Sequence, residues 1–126
     1  MNYKTIDMDS FPRRAHFEYF KGLAYPYVGF TVNVDITGFL AQQKRLGLPF
    51  YLALAYCVTR AANSVSEFRR RIHGDGIIEY DWCHGSHTVA LPDDTYCYCT
   101  LDCRMPFDAY LPRAAEAWER AKAASS

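Results

Sequence analysis

Histidine is the side chain best suited to acid–base chemistry near neutral pH, and this sequence of 126 residues contains four. They are His16, His73, His84 and His87. None lies in a local arrangement with serine or cysteine that resembles a nucleophile elbow or a Cys–His pair. The local motifs therefore predict neither a nucleophile nor a complete catalytic constellation within this chain.

Nitrogen and sulfur donors of the kind that zinc prefers are concentrated in one stretch of the sequence. They are Cys83, His84 and His87, followed by Cys97, Cys99 and Cys103. Their spacing matches neither a C-x2-C nor an H-x3-H pair. Cys97 and Cys99 alternate along a predicted strand, so their side chains share one face, as small core residues do. The pattern favours buried thiols, and zinc binding stays the weaker alternative.

Aromatic side chains make up 16% of the sequence and form two groups. The groups are Phe17, Tyr19, Phe20, Tyr25, Tyr27 and Phe30, and then Tyr96 and Tyr98. Most of these rings are expected in the core. However, the Tyr25-Pro26-Tyr27 bend leaves several of them near irregular backbone, where pockets for flat ligands are built. The sequence is therefore compatible with two roles for these rings, as ordinary core residues or as the wall of a pocket.

A cluster of arginines, Arg69 to Arg71 with Arg60 nearby, has the charge to bind an anion such as phosphate. Consecutive residues of a strand point to opposite faces, so the three cannot converge on one ligand. A solvated strand or turn is the favoured interpretation of this cluster.

Charge and composition restrict the class of protein. Fourteen basic residues balance fourteen acidic ones, so nucleic acid and membrane surfaces are disfavoured as partners. The first residues have no apolar segment typical of a secretion signal, which predicts a cytoplasmic protein. Five cysteines in a reducing compartment are expected to be free thiols. Half of the residues are hydrophobic, enough for the core of a single domain over residues 1–126.

The periodicity of apolar residues predicts helices interleaved with strands, most of them in hairpins. The predicted elements are a helix at 11–21 capped by Asp9 or Ser10, a strand at 28–34 with one face on a core, a short helix through Phe39, Leu40 and Arg45 capped by Asp35 or Thr37, a buried helix at 50–65 that is apolar around much of its circumference, hairpins at 70–80 and 87–101, and a helix at 106–124 interrupted by Pro112. This order predicts an α/β (α+β) two-layer sandwich, a mixed sheet covered by helices. The strand at 28–34 has no neighbour that a tight turn would supply.

A series of short segments is informative through its order and spacing. The segments are Arg13-Arg14-Ala15-His16-Phe17-Glu18-Tyr19-Phe20, Val34-Asp35-Ile36-Thr37 with Phe39, Phe50-Tyr51, Asn63, Glu67-Phe68-Arg69, Tyr80-Asp81 and Thr88-Val89. They run nearly gap-free along almost the whole chain. In this order the sequence resembles the type A chloramphenicol acetyltransferases, with Tyr80-Asp81 in place of that family's usual Trp-Asp.

The resemblance implies a trimeric enzyme that moves acetyl from acetyl-CoA, its cosubstrate, to the hydroxyl of chloramphenicol and so confers antibiotic resistance. In the family, the second histidine of a His-His-x-x-x-Asp-Gly segment takes the proton from that hydroxyl, without a metal. This segment belongs to the second half of the family, as does most of the coenzyme A channel. None of the four histidines here fits it, so this chain is expected to be the amino-terminal part of the domain, incomplete and inactive alone.

The resemblance also implies roles for particular residues. Arg13 matches the arginine that pairs with the aspartate of the histidine segment, a task that suits a bidentate guanidinium. The residues that match acceptor-pocket positions are Tyr19, Phe20, Ala24, Pro26, Cys97 and Cys99. Cys97 stands where the family has a phenylalanine, and it removes a stacking partner. The acceptor is therefore left open between chloramphenicol and another small hydroxyl-bearing aromatic compound.

The alternative is a non-catalytic ligand-binding or assembly module derived from the same fold. It is favoured by the small and polar tail, Ala121 to Ser126, which looks like a natural chain end.

Overall fold

The computed structural model describes residues 2–124, and its architecture is α+β. The elements are β1 (Tyr3–Thr5), α1 (Arg14–Lys21), α2 (Thr37–Arg45), α3 (Phe50–Asn63), a 3-10 helix (Ser66–Arg69), β2 (Arg70–His73), β3 (Gly76–Tyr80), β4 (Gly85–Ala90), β5 (Tyr96–Leu101) and α4 (Phe107–Ala124). The predicted class is confirmed. Ser125 and Ser126, the end of the predicted polar tail, lie outside the described residues.

The strands form two separate sheets where a single mixed sheet was predicted. One sheet has the order β1-β3-β2 and the other pairs β4 with β5, and every pairing among residues 2–124 is antiparallel. The first hairpin is confirmed, with His73 opposite Gly76. Its turn is therefore the two residues Gly74 and Asp75. Gly74 has φ +57°, a conformation that glycine adopts without strain.

The hydrophobic core lies between the β4–β5 sheet and the helices α3 and α4. Leu101, Cys103 and Tyr110 are almost completely buried there. The hydroxyl of Tyr110 donates a hydrogen bond of 2.7 Å to the carbonyl oxygen of Leu52, which ties α4 to α3. The inward side chains of β5 alternate with outward ones, as the period of a strand requires. This sandwich of one sheet and two helices is the best-buried part of the described chain.

The predicted side-chain caps of helices α1 and α2 differ from the structure in detail. Helix α1 begins at Arg14, and no side chain caps it. Asp7 accepts hydrogen bonds from the amide of Asp9 and the hydroxyl of Ser10, so both predicted capping residues belong to a turn before the helix. At α2 the carboxylate of Asp35 accepts from the amide and hydroxyl of Thr37, at 3.0 and 2.6 Å. Helix α2 itself is confirmed, but its N-cap residue is Ile36 and no side chain caps it, so Asp35 belongs to the turn before the helix.

The segment 28–34 forms no strand, and the prediction of a strand with a buried face is wrong for this structure. Val28, Phe30, Val32 and Val34 are 72–89% exposed. The segment belongs to neither sheet of residues 2–124. Alternation of apolar residues specifies which face of a strand is buried, whereas a strand also needs a neighbour to complete its hydrogen bonds.

Helix α3 is covered on one side only, so the predicted burial around most of its circumference is wrong. Leu52 and Ala53 are buried, whereas Phe50, Tyr51 and Val58 are exposed. Helix α4 is confirmed from Phe107, with Pro112 in its interior.

Gly85, at the start of β4, lies close to α3. A Cβ atom at this position would come within 2.7 Å of Thr59 Oγ1, a contact that forces a shift. Gly85→Ala is therefore expected to lower the free energy of unfolding by about 1–2 kcal/mol in urea titrations. The matched control is Gly38→Ala in α2, where a Cβ meets nothing within 4 Å. It is expected to raise stability by about 0.5–1 kcal/mol, and similar losses at both positions would contradict the close approach.

Candidate functional site

A cavity of about 300 Å³ lies between helix α1 and the β2–β3 hairpin. Its lining comes from α1 and the turn before it, from the bend after α1 and from the hairpin; the residues are Phe11, Arg13, His16, Phe17, Phe20, Lys21, Pro26, Ile72 and Ile77. Ile72 and Ile77 are opposite each other in the hairpin register and form one wall. The cavity is therefore apolar on the sheet side and both aromatic and cationic on the helix side.

The cavity-lining residues of helix α1, together with its N-cap residue Arg13, lie on one face of the helix. Arg13, Phe17 and Lys21 repeat at a spacing of four residues, and His16 and Phe20 share the same spacing. Residues separated by three or four positions are neighbours on a helix surface. This spacing of four is a property of the sequence itself.

The structure brings together three of the residues with an expected role. Arg13, Phe20 and Pro26 all line the cavity. Tyr19 does not line it, although its ring packs edge-on against Phe20 with centroids 5.2 Å apart. Ala24 is exposed and also lies outside the lining.

The structure places Cys97 and Cys99 away from this cavity. Their side chains point into the core, and they are 9% and 4% exposed. Burial raises the pKa of the Cys99 thiol, with a smaller effect from Cys97. The outward positions of β5 are occupied by Tyr96 and Tyr98, whose rings pack edge-on at 5.6 Å. An acceptor contact at Cys97 or Cys99 stays a prediction, and any ligand on the open face of β5 meets the two tyrosines.

The guanidinium group of Arg13 lies between an aromatic ring and a carboxylate. Its Cζ is 5.4 Å from the centroid of Phe11, and its Nη2 is 3.6 Å from Glu67 Oε1. Both partners of this ion pair are more than half exposed, so the pair is weak. The Arg13 head is thus oriented by Phe11 and loosely held by Glu67, at the rim of the cavity.

The four histidines occupy separate environments. His16 lines the cavity, His73 lies near the ring of Tyr3, and His84 Nδ1 is 3.7 Å from Asp102 Oδ1. His87 packs against both Tyr51 and Trp118, with centroids 4.9 and 5.2 Å away. The sequence contained no signal for this last cluster, because its members come from three different elements.

Among residues 2–124 there is no group of three or more histidine, cysteine, aspartate or glutamate side chains that could hold a metal ion. Cys97, Cys99 and Cys103 are buried thiols in the core. None of the helices described for this chain has the length and apolarity needed to cross a membrane.

A family model described as chloramphenicol acetyltransferase matches residues 1–116. The chain belongs to the chloramphenicol acetyltransferase family, which confirms the resemblance. It is similar to the chloramphenicol acetyltransferase of Klebsiella sp, with 33% identity over 87 residues, covering 69% of this chain and 40% of that protein. The enzyme of that name from Clostridioides difficile is 33% identical over 114 residues, with coverage of 88% and 51%.

A solved structure of a chloramphenicol acetyltransferase is also similar to this chain. It has a TM-score of 0.74 and 27% sequence identity, and the match covers 94% of this chain and 58% of that one. The chain spans about half the length of the curated relatives it matches.

Proposed function

We propose that this chain, residues 1–126, is the amino-terminal part of a single chloramphenicol-acetyltransferase-like domain and supplies the acceptor side of an O-acetyltransferase. The enzyme would act in the cytoplasm and transfer acetyl from acetyl-CoA to the hydroxyl of chloramphenicol or a similar small aromatic acceptor, which would give antibiotic resistance. One observation carries this proposal: the family match over residues 1–116 includes the cavity that gathers Arg13, Phe20 and Pro26.

The proposed chemistry is direct transfer. The acceptor oxygen attacks the thioester carbonyl of acetyl-CoA, the C–S bond breaks, and a histidine acting as general base takes the hydroxyl proton. We assign no catalytic residue to this chain. The histidine would come from the remainder of the domain, facing the acceptor wall of a neighbouring subunit in a homotrimer, as the family resemblance implies.

The proposed acceptor wall takes residues from two separate parts of this chain, the bend after α1 and strand β5. Its members are Tyr19, Phe20, Ala24 and Pro26, together with Cys97 and Cys99 on β5. We add Tyr96 and Tyr98, because their side chains occupy the open face of that strand. Aromatic rings bind flat molecules well, since each ring contributes a large apolar area with few rotatable bonds.

Arg13 is proposed as a positioning residue for the histidine. Its present partner, Glu67, is exposed and 3.6 Å away, so exchange for another carboxylate costs little. An aspartate from the remainder of the domain would form a bidentate pair with the guanidinium and fix the loop that carries the histidine.

The test is a thiol-release assay with acetyl-CoA and chloramphenicol. We expect no turnover by the 126-residue chain and turnover by the product of the complete reading frame, if the downstream DNA is translated with it. Arg13→Ala in that product is expected to lower kcat by about 100-fold through misplacement of the base. Arg14→Ala is the matched control, because Arg14 pairs with Asp9 on the surface at 2.9 Å. No turnover of any amphenicol by the complete product would contradict the proposed activity.

A non-catalytic binding module is the second candidate, because α3, α4 and the β4–β5 sheet already enclose a core within this chain. Cooperative unfolding of the isolated chain together with binding of an aromatic ligand would favour the module. Aggregation through exposed apolar surface would favour the first proposal, in which this chain is part of an acetyltransferase domain and needs the remaining strands of that domain.

A further inference from the structure

Two guanidinium groups from different parts of the chain lie over one aromatic ring, that of Phe11. Arg13 is the N-cap residue of α1, and its Cζ lies 5.4 Å from the centroid of this ring. Arg70 is the first residue of β2, and its Cζ lies 6.0 Å from the same centroid. A guanidinium group is attracted to the negative face of an aromatic ring. Phe11 therefore brings the two arginines together at the rim of the cavity beside α1.

One carboxylate faces both arginines as well. Glu67 Oε1 is 3.6 Å from Arg13 Nη2 and 3.8 Å from Arg70 Nη1. The pKa of Glu67 lies below its ordinary value, first because its own amide donates to the carboxylate, then because Ser66 does, and to a smaller degree because of the two arginines. Glu67 is therefore ionised at neutral pH, and its charge offsets the repulsion between the two guanidinium groups.

The two arginines differ in how firmly they are held. The side chain of Arg13 is 58% exposed, whereas that of Arg70 is 22% exposed. Arg70 Nε donates a hydrogen bond of 3.0 Å to the buried carboxylate of Glu79 in β3. Charge-assisted hydrogen bonds of this kind are strong, whereas an exposed ion pair is weak. Arg70 is thus the fixed member of the pair, and Arg13 is the movable one.

We propose that Arg70 is a positioning residue that acts through Arg13. Arg70 holds Phe11 and Glu67 in place, and these two groups set where the guanidinium group of Arg13 lies. This inference rests on the proposed function and deepens it, because Arg13 is there the partner of the aspartate that fixes the catalytic histidine. When Arg13 turns to that aspartate, Glu67 keeps Arg70 as its counter-ion, so the position of Glu67 does not depend on Arg13.

The first experiment is NMR of the arginine Nε–Hε groups in the 15N-labelled chain of 126 residues. The signal of Arg13 is assigned by its loss in Arg13→Gln. Arg70→Gln is expected to shift this signal towards that of an arginine exposed to solvent, because Phe11 and Glu67 lose their fixed partner. Glu67→Gln is expected to shift the same signal, and it leaves the buried contact of Arg70 intact. The dispersed amide spectrum of each variant shows that it is folded.

Arg71→Gln is the matched control. Arg71 follows Arg70 in β2, so its side chain points to the opposite face of the strand, where its Nη2 lies 3.7 Å from Cys83 Sγ. This variant is expected to leave the Arg13 signal unchanged.

The second experiment measures steady-state kinetics of the complete product. Arg70→Gln is expected to lower kcat about tenfold and to leave the KM for the acceptor unchanged, because it displaces Arg13 and not the acceptor. Combined with Arg13→Ala, it is expected to add nothing to the loss of about 100-fold that Arg13→Ala causes alone, because one residue acts through the other.

An unchanged Arg13 signal in folded Arg70→Gln, or losses in kcat that multiply to about 1,000-fold in the double variant, would overturn this inference. The proposed activity is tested separately, by turnover of the unmodified complete product. If that product is inactive, the proposed activity fails, and the NMR signal of Arg13 still decides whether Arg70 positions it.

Discussion

Tyr110→Ala is expected to lower the free energy of unfolding by about 3–5 kcal/mol, the cost of removing a large ring from a core. Tyr110 is 1% exposed, and its ring packs against Tyr56 with centroids 4.8 Å apart. The same side chain donates the hydrogen bond to Leu52 that joins α4 to α3. The alanine variant loses both contributions and leaves a buried carbonyl oxygen without its donor. Urea denaturation followed by circular dichroism measures the change.

Two further variants separate these contributions. Tyr110→Phe keeps the ring and removes the hydroxyl, with an expected loss of about 1–2 kcal/mol. Burial raises the pKa of Tyr110, so the hydroxyl remains a donor throughout the accessible pH range. Tyr98→Ala, on the open face of β5, is expected to change stability by less than about 0.5 kcal/mol. Equal losses for Tyr98→Ala and Tyr110→Ala would contradict the location of the core.

Glu79→Gln is expected to lower the free energy of unfolding by about 2–4 kcal/mol at pH 7, because it removes the anion that Arg70, Arg69 and Lys4 share. Glu79 is 6% exposed in the central strand β3. Its carboxylate accepts a hydrogen bond of 3.0 Å from Arg70 Nε, and the charged heads of Arg69 and Lys4 lie 3.6 and 3.4 Å away. Glu116→Gln is the control, since Glu116 forms an exposed pair with Arg120 on α4.

The same residue makes stability depend on pH. The hydrogen bond from Arg70, followed by the charge of Lys4, holds the pKa of Glu79 below its ordinary 4.5 against the opposing effect of burial. A carboxyl group with a lower pKa in the folded state stabilises that state above its unfolded pKa, and the contribution is lost as the pH falls through the folded pKa. The difference between wild type and Glu79→Gln should therefore be full at pH 7 and shrink progressively below about pH 4.5. A constant difference from pH 7 to pH 3 would contradict the assignment.

Local signals were sufficient to predict most helices and both hairpins. Turn chemistry, such as Gly74-Asp75 and Asp93 with Thr95, is read from neighbouring residues and does not need the rest of the fold. Strand β1 was missed because three residues are too few to show a period. The segment 28–34 was mispredicted for a different reason. Its apolar residues alternate clearly, but a strand also needs a neighbouring strand, and the alternation does not specify that neighbour.

The candidate site was predicted only in part. Arg13, Phe20 and Pro26 were identified through the family resemblance, and they line one cavity. Ile72 and Ile77 were missed, because only the folded hairpin brings them to α1. Residues alternate along β5, so that Cys97 and Cys99 are buried and Tyr96 and Tyr98 point outward. If the sequence of this strand is aligned with the family one residue out of register, core positions are exchanged for surface positions.

The unpaired segment 28–34 is expected to make the self-association of this protein depend on its concentration. Its seven residues contain neither a charge nor a proline, which is the composition of segments that stack into cross-β structure. Two copies that meet edge to edge would satisfy each other's backbone hydrogen bonds. The half-time of that encounter shortens as the concentration rises, whereas the half-time for pairing with a strand of the same polypeptide does not depend on concentration. If the remainder of the proposed domain supplies a partner strand, that strand would compete with a second copy of the protein for this strand edge, and dilution would favour the intramolecular pairing.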